Sequence, residues 1–175
     1  MDIIIEAGKR EDIDELEKLY NDLNDYLAAG TNYPGWLKGV YPVRENAEAG
    51  VEKSCLYVAR SGGRIAGTVI LNQDPPEGYE TVNWKTDIGY EKIIVVHTLA
   101  VHPAFVKEGV GKKLMEFGIC LGRDRGMESV RLDVFEKNLP AIHLYESCGF
   151  DYIATVDLGY GEYGLDWFKL YEKLL

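Results

Sequence analysis

The sequence predicts a single α/β domain, residues 1–175, organised around one sheet. Three observations carry that expectation. The chain has 175 residues, 46% of them hydrophobic and 27% charged, which is enough apolar material to bury one core and too much for disorder to be the main state. Short apolar runs of strand length alternate with stretches whose apolar residues recur at helical spacing. No internal repeat, linker or low-complexity tract interrupts that order.

The chain opens with Ile3 to Ile5, a short apolar run ended by Ala7-Gly8 that suits a first strand. From Asp12 to Ala28, Ile13, Leu16, Tyr20, Leu23 and Leu27 fall on one helical face, and Gly30 is placed to end the helix. The stretch from Thr31 to Gly50 is loop-like and aromatic, with a short helix around Val43 to Gly50. Cys55 to Ala59 and Arg64 to Leu71 flank Ser61-Gly62-Gly63 and read as a hairpin. Asn72 to Glu91, with Asp74-Pro75-Pro76, reads as a long connection of the kind that often carries function. Ile93 to Val101 is a buried strand stopped by His102-Pro103, because proline cannot donate to the ladder.

After Gly109 and Gly111, the residues Val110, Leu114, Phe117 and Leu121 mark a helix running to about Arg125 and stopped by Gly126. Val130, Leu132 and Val134 alternate as a strand. Asn138 can cap the next helix, Pro140 fits its first turn, and Gly149 can close it. Two closing strands, Asp151 to Asp157 and Leu165 to Glu172, are joined by the glycine-rich Gly159 to Gly164.

The formal charge of −10 and pI near 4.8 argue against a nucleic-acid binder, whose affinity comes largely from Lys and Arg on phosphates. The longest uncharged apolar stretch, Ile93 to Val101, is well short of the roughly 18 to 20 residues of a membrane span. The N-terminus lacks a basic region followed by an apolar core, so a cytoplasmic, membrane-free protein is expected. Cys55, Cys120 and Cys148 have no metal-like spacing and are expected as small buried hydrophobes, and no metal site is foreseen.

The stretch from Ile93 to Arg125 holds the first chemical signal. Gly109 and Gly111 lie where the chain leaving Pro103 turns into a helix, so the unpaired N–H groups of the first turn face outward at the positive end of the dipole and can hold a phosphate or pyrophosphate. Lys107, Lys112 and Lys113 add positive charge. The spacing is neither a P-loop nor the full Rossmann fingerprint.

A second stretch, Leu132-Asp133-Val134-Phe135 through Asn138, Ala141 and Tyr145 to Gly149-Phe150, joins Leu99-Ala100-Val101-His102-Pro103 and Gly109-Val110-Gly111 in one pattern. Together these motifs resemble the GNAT superfamily of acyl-coenzyme A dependent N-acyltransferases. The resemblance implies a mixed, mostly antiparallel sheet flanked by helices, splayed at Ile93 to Val101 and Val130 to Phe135 to admit acetyl-CoA. It implies that the backbone of Leu99, Ala100 and Val101 bonds the pantetheine arm, and that Val106, Lys107, Glu108, Gly109, Val110, Gly111 and Lys112 wrap the pyrophosphate. Asn138 would contact the cofactor arm and Tyr145 would lie beside its sulfur. The sequence departs from the family at Val106 and Lys107, where Arg or Gln, often followed by Gly, is usual. Backbone donors are provided by any non-proline residue, so the departure bears on side-chain contacts more than on the binding mode.

Acyl transfer to an amine asks for a proton donor to the thiolate, a proton acceptor for the amine and a donor to the acyl oxygen. Tyr145 is the donor candidate, since a phenol of pKa about 10 can meet a thiolate whose acid has pKa about 8.5; packing on the core is its other reading. His97 stands where many similar enzymes carry a glutamate base, and a hydrogen-bonded core histidine is the alternative. An N–H near Leu99 or Ala100 would serve the acyl oxygen. His102 reads as solvated or structural and His143 as a surface residue. Tyr26, Tyr33, Trp36, Tyr41, Trp84, Tyr160, Glu162 and Tyr163 offer aromatic and acidic groups for a cationic acceptor, or a core under a long loop.

The expected activity is N-acetyl transfer from acetyl-CoA to a primary amine of a small molecule or peptide by direct attack in a ternary complex, and the resemblance is compatible with a homodimer. The rival is a catalytically silent acyl-CoA-binding sensor or interaction module. A nucleotide phosphate binder would use the glycine turn but leaves the pattern from Asn138 to Phe150 unexplained.

Overall fold

The computed structural model describes residues 1–175. Its strands are β1 (Ile4–Ala7), β2 (Leu56–Ser61), β3 (Arg64–Asn72), β4 (Ile93–Val101), β5 (Ser129–Phe135), β6 (Asp151–Val156) and β7 (Phe168–Leu174). Its α-helices are α1 (Ile13–Ala29), α2 (Arg44–Glu52), α3 (Val110–Asp124) and α4 (Leu139–Ser147). The strands form one seven-stranded sheet in the order β1-β2-β3-β4-β5-β7-β6. The β1/β2, β2/β3, β5/β7 and β6/β7 pairs are antiparallel. β4 and β5 are parallel, through Ile93↔Ser129, Ile94↔Val130 and Val95↔Arg131. The elements match the expected series, except that β7 starts at Phe168: Leu165 is drawn into an isolated bridge with Tyr160.

The chain divides into two compact units, residues 1–32, 36–71 and 97–117 in the first, and 33–35, 72–96 and 118–175 in the second. In the first, α1 buries Leu16, Leu19, Tyr20, Leu23 and Leu27, the stripe that a 3.6-residue period puts on one face. Leu56, Val58, Ile65 and Ala100 of the sheet complete this core. α3 lies close over β3 because Gly67 has no side chain: a Cβ there would come within 2.8 Å of Val110 and 3.0 Å of the Ala100 carbonyl.

In the second unit Tyr79, Ile93, Val95 and Leu170 form the core. The alternation expected for β5 describes only half of it. Val130, Leu132 and Val134 are buried, but so are Ser129 and Arg131. Arg131 Nε donates to Glu172 Oε1 at 3.0 Å, with both side chains almost fully buried. The same carboxylate accepts from Ser129 Oγ at 2.7 Å, from Thr86 Oγ1 at 3.1 Å and from the Lys85 N–H at 2.6 Å. The remaining guanidinium donors reach the Thr86 carbonyl and the Tyr90 hydroxyl, and the Trp84 ring lies 4.3 Å from the Arg131 guanidinium carbon. The long connection expected from Asn72 to Glu91 is therefore fastened down, with 3-10 turns at Tyr79–Thr81 and Tyr90–Lys92.

The cysteines are a correction. Cys55 is buried, but Cys148 is only partly so and Cys120 is exposed, because Cys120 falls on the outward face of α3. No helix is long and apolar enough to cross a membrane.

Removing one member of a buried ion pair strands the other, which costs roughly 3–5 kcal/mol. Glu172 keeps three neutral donors without Arg131, whereas Arg131 without Glu172 keeps only neutral acceptors. Glu172→Gln should therefore lower stability more than Arg131→Met in denaturant titrations; equal losses would contradict this account of the node.

Candidate active site

Pro103 ends β4 and starts a 3-10 turn, Pro103–Phe105. His102 caps it: its Nδ1 accepts from the Ala104 N–H at 3.0 Å, and its Nε2 lies 3.2 Å from Asp22 Oδ2. The Lys18 ammonium, 2.5 Å away, holds Asp22 below the usual carboxylate range, and His102 adds to the effect. His102 thus has the structural role foreseen for it.

Residues 106–109 then turn into α3. Lys107 and Gly109 both have left-handed backbone, with φ of 68° and 77°. Nothing lies within 4 Å of where a Cβ on Gly109 would stand, so the backbone is open to approach there. The Lys113 N–H bonds the Gly109 carbonyl at 3.1 Å, which leaves the N–H groups of the first turn without an acceptor from within the helix. They carry the positive end of the dipole, flanked by exposed Lys107, Lys112 and Lys113. Lys107 is one of three non-glycine residues of the chain with left-handed backbone, beside Ser54 and Thr98.

Within β4, His97 is half-buried rather than enclosed. Thr98, its buried neighbour, has a φ of 50°, and beyond it Leu99 and Val101 are half-buried while Ala100 is buried. The Tyr41 hydroxyl is hydrogen-bonded to Thr98 Oγ1.

In the second unit, Asn138 caps α4 as expected, its Oδ1 accepting from the Ala141 N–H at 3.4 Å. Tyr145 is 7% exposed, its ring edge-on to Phe150. Tyr79 is buried and donates its hydroxyl to Asp133 Oδ2 at 2.7 Å. Burial holds the Tyr79 phenol well above its ordinary value, and Asp133, Tyr90 and Tyr145 add to this. Burial and then Asp133 also raise Tyr160. Tyr79 and Tyr160 thus share the Asp133 carboxylate as a neighbour, and Tyr145 lies near enough to Tyr79 to act on its phenol. Tyr79 and Asp133 lie 54 residues apart, so their pairing leaves no local pattern in the sequence.

The aromatic acceptor candidates divide. Tyr26, Tyr33, Tyr160 and Tyr163 are exposed, and so is Glu162. Trp36 packs on the first core, and Trp84 is taken up by Arg131 and by its own Nε1 bond to the Tyr79 carbonyl at 2.8 Å. His143 is exposed. No group of three or more His, Cys, Asp or Glu is placed to hold a metal ion.

The model of the acetyltransferase (GNAT) family matches residues 16–150. The chain belongs to that family. It is 33% identical over 114 residues to the mycothiol acetyltransferase of Thermomonospora curvata, a match covering 65% of this chain and 33% of that protein. It therefore spans about a third of that relative's length. It is 24% identical over 109 residues to the uncharacterized N-acetyltransferase YvbK of Bacillus subtilis, covering 62% of this chain and 61% of that one. Among solved structures, a GNAT-family acetyltransferase from Streptococcus agalactiae has a TM-score of 0.80 at 18% identity, over 99% of this chain and 95% of that one. YncA from Salmonella typhimurium, whose structure includes its cofactor acetyl-CoA, has a TM-score of 0.70 at 19% identity, over 100% of this chain and 95% of that one. Both likenesses are of fold.

In this GNAT chain the two left-handed residues of the turn should respond oppositely to substitution. Gly109→Val forces a β-branched side chain to a φ of 77° and covers the open backbone, so acetyl-CoA affinity measured by calorimetry should fall. Lys107→Gly removes the left-handed penalty at a modest entropic cost, so the melting temperature should hold or rise, by about 1 kcal/mol of stability or less. A lower melting temperature for Lys107→Gly would contradict the assignment.

Proposed function

We propose that this GNAT chain transfers the acetyl group of acetyl-CoA to a primary amine of a small molecule or peptide, by direct attack in a ternary complex. The observation that carries the reading is the turn at residues 106–111: two left-handed residues, an open glycine backbone and the unspent N–H groups of α3. Those features fit a pyrophosphate. Val106 to Lys112 would hold it, the backbone of Leu99, Ala100 and Val101 would bond the pantetheine arm, and Asn138, whose Oδ1 caps α4, would offer its Nδ2. Acetyl-CoA supplies the acetyl group as a thioester.

Tyr145 would give its phenolic proton to the departing sulfur. His97 would take the amine proton, directly or through one water, and the N–H of Leu99 or Ala100 would stabilise charge gathering on the acyl oxygen. Relatives named as mycothiol acetyltransferase and N-acetyltransferase support the class of reaction. The net charge of −10 favours an acceptor that arrives as a cation. A cytoplasmic location belongs to the same reading.

Acetyl-CoA should raise the melting temperature, because it binds the native turn and not the unfolded chain. A screen of amines with acetyl-CoA should then find amine-dependent release of free thiol. Binding without such release would favour the silent acyl-CoA-binding module, and absence of binding would remove both readings.

Tyr145→Phe keeps the ring and removes the proton, so turnover should fall about a hundredfold to ten-thousandfold with acetyl-CoA affinity nearly intact. Unchanged turnover would mean that the sulfur is protonated by water. For His97→Gln the sign follows from the base being active only when neutral: the wild-type rate should fall as pH drops, and that acid limb should vanish or move in the variant. A variant that melts early yet keeps full activity per folded molecule would make His97 a core residue.

A further inference from the structure

β4 holds a residue that strands do not ordinarily accept. Thr98 has a φ of 50° in the middle of Ile93–Val101, and a β-branched side chain in left-handed backbone is an outlier among L-residues. Such a conformation persists only where the surroundings over-determine it. Thr98 is buried, and its Oγ1 is hydrogen-bonded to the Tyr41 hydroxyl. Tyr41 is fixed in turn: its carbonyl accepts from Asn24 Nδ2 at 3.1 Å, and its ring meets Trp36 edge-on at 5.5 Å.

This corner spends stability. The Tyr20 hydroxyl and Asn24 Oδ1, one turn apart on α1, are buried with no hydrogen-bond partner, an arrangement that costs free energy in any interior. Burial, with Tyr41 adding, holds the Tyr20 phenol well above its ordinary value. Strain and unsatisfied groups together, maintained beside one strand, mark a place kept for something other than stability.

In an extended strand successive N–H groups alternate in direction. A left-handed residue rotates the peptide that follows it, so Thr98 sets where the Leu99 N–H points and from which side the strand continues. We propose that Tyr41 is a positioning residue: through Thr98 it holds the left-handed turn in β4 that aims the N–H groups of Leu99 and Ala100. The catalytic consequence rests on the acetyl-transfer reading; the structural one does not.

Three substitutions separate conformation from contact. Thr98→Val keeps the β-branched shape and loses the hydroxyl, Tyr41→Phe loses the other half of the bond, and Thr98→Gly loses the bond but adopts left-handed backbone freely. Hydrogen exchange of the Leu99 and Ala100 amides is followed in each variant, with turnover at saturating acetyl-CoA and melting temperature alongside. Tyr41→Phe and Thr98→Val should speed exchange at both amides and lower turnover about tenfold or more, the scale of one released strained residue. Thr98→Gly should lose less than Thr98→Val in both readouts, since glycine adopts left-handed backbone without the β-branched penalty even though the bond to Tyr41 is gone. Loss in Thr98→Gly as large as in Thr98→Val would overturn the proposal, as would unchanged exchange in Tyr41→Phe. If the wild-type chain releases no thiol with any amine, the acetyl-transfer reading fails, while exchange still decides whether Tyr41 holds the turn.

Discussion

Burying the Arg131 guanidinium obliges the chain to surround it, and much of the second unit is that enclosure. A charge removed from water must find paired charge and filled hydrogen bonds or it unfolds its surroundings. Glu172 of β7 supplies the charge, Thr86 and Tyr90 the acceptors, and Trp84 the covering face. Because three of these partners lie in the connection between β3 and β4, a segment that could have wandered is drawn against β5. Tyr79, in the same connection, is thereby supported where its hydroxyl meets Asp133, and the phenols of Tyr145 and Tyr160 share that neighbourhood electrostatically.

The first unit works by a different means. Its distinctive positions are backbone ones: Thr98, Lys107 and Gly109 all have positive φ, and each redirects peptide groups that regular structure would have consumed. At the turn into α3 the N–H groups of Val106 and Glu108 bond back to the Pro103 and Phe105 carbonyls, while those of Val110, Gly111 and Lys112 have no acceptor from within the helix. In β4 the result is a break in the alternation beside His97 and Leu99. Side chains supply the support, as His102 does for the Pro103–Phe105 turn and Tyr41 for Thr98. The chemistry proposed for this chain relies on both, with strained backbone providing donors and ordinary packing keeping them in place.

The sequence announces elements whose limits depend on local chemistry. β4 ends where Pro103 stops the ladder, Gly30 closes α1 and Asn138 opens α4, each for a reason contained within a few residues. Asn138 was legible as the cap of α4, and the turn at Gly109 through its glycines and lysines. Arg131 was not legible, because an arginine in an alternating strand reads as solvent-facing and its partner lies 41 residues further along. Nor was the left-handed Thr98: by propensity threonine favours extended backbone, and its hydrogen-bond partner Tyr41 lies 57 residues away. Long-range pairing that overrides local preference leaves no periodic trace.

Gly67 shows how much can hang on the smallest side chain. Val110, the first residue of α3, and Leu114, one turn on, both come to rest over the place where Gly67 has only hydrogen. The depth at which the helix sits on β3 is therefore fixed by missing volume, and the outward N–H groups of its first turn take their height above the sheet from the same gap. A methyl group on that strand would act as a shim under the helix, tilting its start and with it every donor there, although it would touch none of them.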